Sequence, residues 1–293
     1  PIAWSPDGTK LVHGTANATI TIVQAPSTIT CTSSPTTVGA LRTAIDTANS
    51  TPATPDTLCL SGTYSFSDAP SGYNGDGSNA LPSITSPITL IGNGGTATLA
   101  RATGSPNFRI LRVASGGSLT LNNVIVQGGN AGSSGGGGIR NLGTLTLLNG
   151  STVQNNTAAG GGGIYNLNGT VNLSGGSQIL GNTSTSSGGG LYNNGGTVTL
   201  DGVTLSNNSA NTSSGSGGGI YNSNGNLTIQ GSSTLSTNTA RLGGGIYLTD
   251  TGSHTVSVDM SVSISSNTAT NNGGGVYINN GTVTIGNASG GLV

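Results

Sequence analysis

Polysaccharide cleavage needs paired carboxylates with basic helpers close by. The eight acidic residues are all aspartate, and within the repetitive half of the chain they are Asp201, Asp250 and Asp259. Asp201 follows Leu200 and Asp259 follows Val258 at equivalent places in the repeat. Two coils of a β-stack would set their backbones on the order of 9–10 Å apart, which overlaps the upper range for an inverting carboxylate pair. Against this, Gln230 occupies the intervening coil, no Lys or Arg adjoins either aspartate, and no long insertion supplies cleft walls. Two solvated turn aspartates are the simpler reading, and the chain is expected not to be an enzyme. His13 and His254 stand alone and far apart. Asn74, Asp76, Ser78 and Asn79 form an oxygen-rich stretch that resembles a weak calcium loop, but a polar loop without an ion is the expectation. No metal or cofactor is expected.

Other residue patterns point to surfaces. Tyr165, Tyr192, Tyr221, Tyr247 and Tyr277 each follow an aliphatic residue of a recurring anchor, so strand alternation should point them outward in one stripe, extended by Arg140. Such a stripe can bind sugar rings or bury a lateral contact; mutual stacking that holds register is the alternative. Arg101, Arg109, Arg112 and Arg140 could meet an acidic glycan or a neighbouring subunit, or be scattered solubilising charges. Thr144/Thr146, Thr197/Thr199 and Thr282/Thr284, with Thr170, Thr228 and Thr255, flank inward residues on another face, broken by Asn172, Asn226 and Ser257. That array resembles an ice-binding face, and it is also what a solvated β-surface prefers. Asn211 and Asn226 are among several glycosylation sequons, which arise readily by chance at this composition.

All these residues need a scaffold, and composition narrows it. Glycine takes 53 of 293 positions, well above the usual ~7%, while charged residues are 5% and the net charge is −1. There is no basic field to attract nucleic acid or anionic membrane. No apolar run approaches the ~20 residues of a membrane helix, so no membrane insertion is expected. The start at Pro1 without Met reads as a mature form or an excised piece, with any targeting segment already gone.

The glycines recur. A glycine run, an aliphatic and usually Tyr appear as GGGGIRN at Ile139, GGGGIYN at Ile164, GGGLYN at Leu191, GGGIYN at Ile220, GGGIYL at Ile246 and GGGVYI at Val276, spaced 25, 27, 29, 26 and 30 residues. Each unit adds an alternating segment such as GTLTL or GTVTI, and a segment ending in aliphatic-x-x-Asn at Asn156, Asn182, Asn208, Asn238 and Asn267. Three period-2 strands in ~27 residues, without a helical pattern between them, describe one coil of a parallel β-solenoid. The expected fold is an all-β, three-faced parallel β-helix of eight or nine coils, right-handed by the general preference of parallel crossovers. The asparagines suit corners and could ladder between coils. Regular repeats should span 135–293 and irregular coils 58–134.

Residues 31–57 hold the one convincing helix, VGALRTAIDTANS, with Val38, Leu41, Ile45 and Ala48 on one face; it can cover the first coil. Cys31 and Cys59 could form one bridge tying the segment before the helix to the strand after it, worth roughly 3–4 kcal/mol; two buried free thiols are the alternative. Residues 1–30 read as a β-meander extension.

Cys31 with LRTAIDTANS and PDTLCLSGTY resembles the CSLREA-type N-terminal module of bacterial secreted β-helix proteins. Arg42, Ala44, Ile45, Ala48, Asn49, Asp56, Leu58, Leu60, Gly62 and Tyr64 match; Thr43 and a longer gap after Cys31 depart from it. The GGGIYN anchors with aliphatic-x-x-Asn-Thr-Ala resemble the GGA(I)/FxxN repeats of chlamydial polymorphic outer-membrane proteins, with Phe replaced by Val, Ile or Leu. These resemblances imply secretion, a right-handed β-helix and a role outside the cell or on the bacterial surface, and no particular activity. IAWSPDGTKLVHGTANATITIV resembles one blade of a WD-repeat propeller, but one blade cannot close a propeller.

After Val276 the chain runs through GTVTI to NASGGLV with no charged or helical closing segment. Solenoid ends normally carry a polar cap. Continuation of the chain, head-to-tail contact with another copy, and a short solvated end all fit. The primary expectation is a non-catalytic extracellular structural β-helix that self-associates end to end into a filament, with the N-terminal meander as partner for the open edge. The alternative is an adhesin or passenger domain binding glycans or host surfaces.

Overall fold

A computed structural model describes residues 2–4, 10–14, 20–24, 29–70, 76–210, 212–252 and 254–285. The SPDG turn, Asn74, Asn211 and the NASGG segment fall outside the described residues. The chain divides into Pro1–Cys31 and Thr32–Val293. In the first unit, β1 (Ile2–Trp4), β2 (Lys10–Gly14) and β3 (Ile20–Gln24) form an antiparallel meander in that order.

The second unit opens with α1 (Val38–Asn49). The Thr37 side chain accepts from the Ala40 N–H at 3.1 Å and caps its N-terminus. Pro52, two residues past the C-cap Ser50, cannot continue it. Leu41, Ile45 and Ala48 are buried in the same apolar cluster as Leu58, Leu60 and Leu90 of the solenoid. Burying a Leu or Ile is worth roughly 1.5–3 kcal/mol. Polar ties add to this: Asn49 Nδ2 donates to the Ser83 carbonyl at 2.8 Å, and Ser86 Oγ to the Ala48 carbonyl at 3.1 Å.

From Asp56 onward the chain winds as a parallel β-solenoid. Its three main sheets hold nine, eight and seven strands, each strand pairing with its counterparts one coil before and after. The nine-stranded sheet runs from Asp56–Leu60 to Val283–Ile285, the eight-stranded from Thr63–Phe66 to Ser263–Ser265, and the seven-stranded from Leu111–Val113 to Val276–Asn280. Alternation puts Leu145, Val171, Val198 and Leu227 in register and buried inside the nine-stranded sheet. A fourth, five-stranded ladder, Thr157–Gly160 to Thr268–Asn272, fills the connection into each glycine run. The sequence did not announce it, because its short, small-residue strands (TAAG, SA) carry no aliphatic alternation.

The glycine run is steric necessity. Gly161 has φ +57, and a Cβ there would sit 2.3 Å from the Ile164 carbonyl oxygen. Gly162 has an ordinary φ, yet its Cβ would lie 2.4 Å from the Thr183 carbonyl oxygen of the next coil. The first glycine makes the bend and the second lets two coils touch backbone to backbone.

Candidate functional site

The disulfide pairs Cys31 and Cys59, and neither thiol is free. The five asparagines are the second residue of each two-residue corner between the eight-stranded sheet and the five-stranded ladder, as between Gln154 and Thr157. In each coil the residue just before takes the left-handed conformation: Asn155 (φ 53), Gly181 (φ 61), Asn207 (φ 57), Thr237 (φ 54) and Ser266 (φ 55). That turns Asn156, Asn182, Asn208 and Asn238 into the interior, all 0% exposed, with Asn267 at the last rung. Asn156 Nδ2 donates to Asn182 Oδ1 at 3.0 Å, Asn182 to Asn208 at 3.0 Å, Asn208 to Asn238 at 3.0 Å and Asn238 to Asn267 at 2.9 Å. Each amide also donates to a main-chain carbonyl of the preceding coil, as from Asn182 to Val153 at 2.9 Å. Each Oδ1 also accepts a main-chain N–H.

A second buried ladder runs through the asparagines of the anchors. Asn141 donates to Asn166 at 2.8 Å, Asn166 to Asn193 at 2.8 Å and Asn193 to Asn222 at 2.7 Å. Its column continues as Val113 on one side and Leu248 and Ile278 on the other. The signal was present in the recurrent N of GGGIYN, which sequence reasoning left as part of the anchor.

The outward residue of the same seven-stranded sheet forms one column: Arg112, Arg140, Tyr165, Tyr192, Tyr221, Tyr247 and Tyr277 in register. Ring centroids of successive tyrosines are 4.9, 4.6, 4.9 and 5.5 Å apart, tilted for the first two pairs and stacked for the last two. The Arg140 guanidinium carbon lies 5.1 Å from the Tyr165 ring centre. The rings are half-buried, and Tyr247 is buried. Burial, then Tyr221 and Tyr165, pushes the Tyr192 phenol above its usual 10. Burial, then Tyr277, raises Tyr247. Beside the column Gly135 and Gly160 pair in successive coils, followed by Ser187, Ser216 and Leu242. The Tyr165 ring lies against bare Gly135, where a Cβ would come within 2.6 Å of it. A groove of ≈ 300 Å³ opens there, lined by Arg140, Tyr165 and Tyr192 with Ser133, Ser134 and Ser186 among its other walls.

Three of the four arginines converge, while Arg101 donates instead to the Gly128 and Ser105 carbonyls at 2.9 and 2.6 Å. Asp76 pairs with Arg112 Nε at 3.0 Å, with Arg140 Nε, and more distantly with Arg109 Nη1 at 3.7 Å. Arg109 is fully buried; its Nε donates to the Gly136 carbonyl at 2.9 Å, Nη2 to Gly135 at 2.7 Å and Nη1 to Asn79 Oδ1 at 2.8 Å. Burial pulls Arg109 down to about 10, with Asp76 opposing. Burial alone would raise the Asp76 carboxyl, but Arg140, Arg109 and Arg112 outweigh it and hold it below the usual 3.8. Of the oxygen-rich stretch, Asp76 is engaged by three guanidiniums and Asn79 Oδ1 accepts from one of them, Arg109. No local sequence signal could have found this cluster, in which the arginines lie 33 and more residues from Asp76.

Asp201 and Gln230 are in register, with Gln230 Nε2 donating to Asp201 at 3.3 Å, and Asp259 follows in the next coil. His254 Nδ1 lies 2.8 Å from Asp250 Oδ1. The His254 hydrogen bond, then that of the Gly252 N–H, holds Asp250 below its usual 3.8. Among the described residues no His/Cys/Asp/Glu cluster could hold a metal ion. The threonine positions are in register: Thr146, Asn172, Thr199, Thr228, Ser257 and Thr284 form one rank.

Stacked coils, two buried amide ladders and an outward aromatic column define a repeat-built parallel β-solenoid. The Chlamydia polymorphic membrane protein repeat matches residues 202–223 and 261–279. Each stretch carries one rung of the first amide ladder (Asn208, Asn267) and one column tyrosine (Tyr221, Tyr277). This match suggests a bacterial surface protein; it does not extend to residues 31–64 or to β1–β3. No curated protein and no solved structure matches the chain. Among the described residues no helix is long and apolar enough to cross a membrane.

Proposed function

We propose that the chain is a non-catalytic β-helical segment of a bacterial surface protein that binds glycans along its flank. The observation that carries this reading is the single outward column of two arginines and five tyrosines beside a groove. Tyrosine rings offer sugars an apolar face with a polar edge, at low cost in side-chain freedom. A rigid sheet holds them in place without a binding loop. The non-catalytic part rests on Asp201 and Asp259, which have an amide between them. On a glycan array, the protein should give signal that falls with Tyr165→Ala and Tyr192→Ala; an array with no signal for the wild type overturns the reading. Turnover of a pectin or alginate panel, abolished by Asp201→Asn, would overturn the non-catalytic part.

A second reading, end-to-end association of copies, has its own observation. The interior of the last described coils opens as a cavity of ≈ 500 Å³ lined by Leu248, Val256, Val258, Ile264 and Val283. Val276 and Ile278 are 38% and 46% exposed beside it. A second copy covering this surface would bury apolar side chains and pair strand edges. Negative-stain microscopy and sedimentation should then show filaments that Ile278→Asp abolishes. Discrete short rods of the wild type at high concentration would overturn it.

A further inference from the structure

The groove at the arginine end of the column is unlike the rest of the flank. Arg140 lines it, and its Nε side faces Asp76. Among the described residues no hydrogen bond engages its terminal nitrogens. The guanidinium is held in place from two sides, by Asp76 and by the Tyr165 ring at 5.1 Å. Three guanidiniums share one carboxylate here, so the site keeps an excess of positive charge in a chain whose net charge is only −1. The open edge of a fixed guanidinium is a planar fork that matches a carboxylate. Ser133, Ser134 and Ser186 line the same groove as Tyr165 and Tyr192. A few placed polar groups around an apolar wall are what a small-ligand site requires.

We propose that this groove takes an acidic sugar, a hexuronate unit, with its carboxylate on the Arg140 fork and its ring against Tyr165 and Tyr192. The inference rests on the glycan-binding reading above and names the class of glycan. Arg112, one coil back and 3.0 Å from Asp76, supplies supporting charge and does not touch the ring. Selectivity for the acid over its neutral ester comes from the carboxylate, and affinity for either form comes from the tyrosines.

The test is calorimetric titration at low salt with tetragalacturonate and with its methyl ester, which is similar in shape and uncharged. The acid should bind the wild type at least about tenfold more tightly than the ester, a difference of about 1.4 kcal/mol. Added salt should erode that preference. Arg140→Gln should abolish the preference while leaving ester binding in place, and Arg140→Lys should restore part of it. Should Arg140→Gln fail to fold by circular dichroism, Arg112→Gln reads the same question through a reduced preference and a shallower salt dependence. Equal binding of acid and ester, both weakened by Tyr192→Ala, would overturn the acidic-sugar assignment and leave the flank as a glycan surface. Binding of neither form would overturn the assignment, while the array separately judges the flank.

Discussion

At the scale of single residues, the buried asparagines are the most demanding feature. Asn182 Oδ1 accepts both the main-chain N–H and the side-chain amide of Asn156, and its own amide donates to Val153 and Asn208. Asn182→Leu would leave several buried polar groups unpaired, at about 1–3 kcal/mol each. Asn222→Leu should cost much less, because the next coil already carries Leu248 at that position and the change extends an apolar column. Urea unfolding of the two variants should therefore separate them by at least about 2 kcal/mol, and equal losses would refute the ladder as a stabilising unit. The tyrosines make a different prediction. A phenol whose pKa is raised on folding favours the folded state below its usual 10, and that contribution is lost as pH rises through the folded value. Ultraviolet titration should show phenols ionising above the usual range, and Tyr192→Phe should remove part of that delayed fraction.

At the scale of elements, the Asp76 cluster ties Asp76 to two strands of successive coils, through Arg112 and Arg140, and to Arg109 in the bridge that precedes the first of them. Its sign is that of a depressed acid: the contribution is complete above pH 3.8 and is lost as pH falls through the lower folded value. Amide exchange from about pH 5 to about pH 2 should show protection falling around Arg109–Val113 and Ile139–Asn141 before it falls around Asn182. Asp76→Asn should give the same local loosening already at neutral pH. This cluster also marks what the sequence could not reveal. Strand alternation, glycine anchors and the helix face of Leu41, Ile45 and Ala48 are periodic, and a period survives being read one residue at a time. The tyrosine column was legible for the same reason. The convergence of Asp76, Arg109, Arg112 and Arg140 has no period, since it is made by coil stacking. The inward turn of Asn156 and its equivalents was hidden too, because the residue type marks a corner but not the direction its side chain takes.

At the scale of the whole molecule, each coil touches chiefly its neighbours, so stability is close to a sum over coils and their interfaces. The helix and the Cys31–Cys59 bond both lie at the start of the solenoid. Reduction should lower stability by about 3–4 kcal/mol in the chain-entropy picture. That loss should appear as exchange in Asp56–Leu60 and Thr63–Phe66, with coils beyond Asn182 unaffected; a uniform loss would contradict nearest-neighbour behaviour.

Both amide ladders repeat the same donor and acceptor at every junction of their length. Excising residues 191–219 would place Asn222 on Asn166 and Asn238 on Asn182, restoring each bond with a different partner. The shortened chain should fold with nearly unchanged cooperativity per coil. A gene encoding such a protein can therefore gain or lose copies of the unit by unequal recombination without breaking either ladder, and the length of the solenoid becomes a heritable quantity that changes in whole steps.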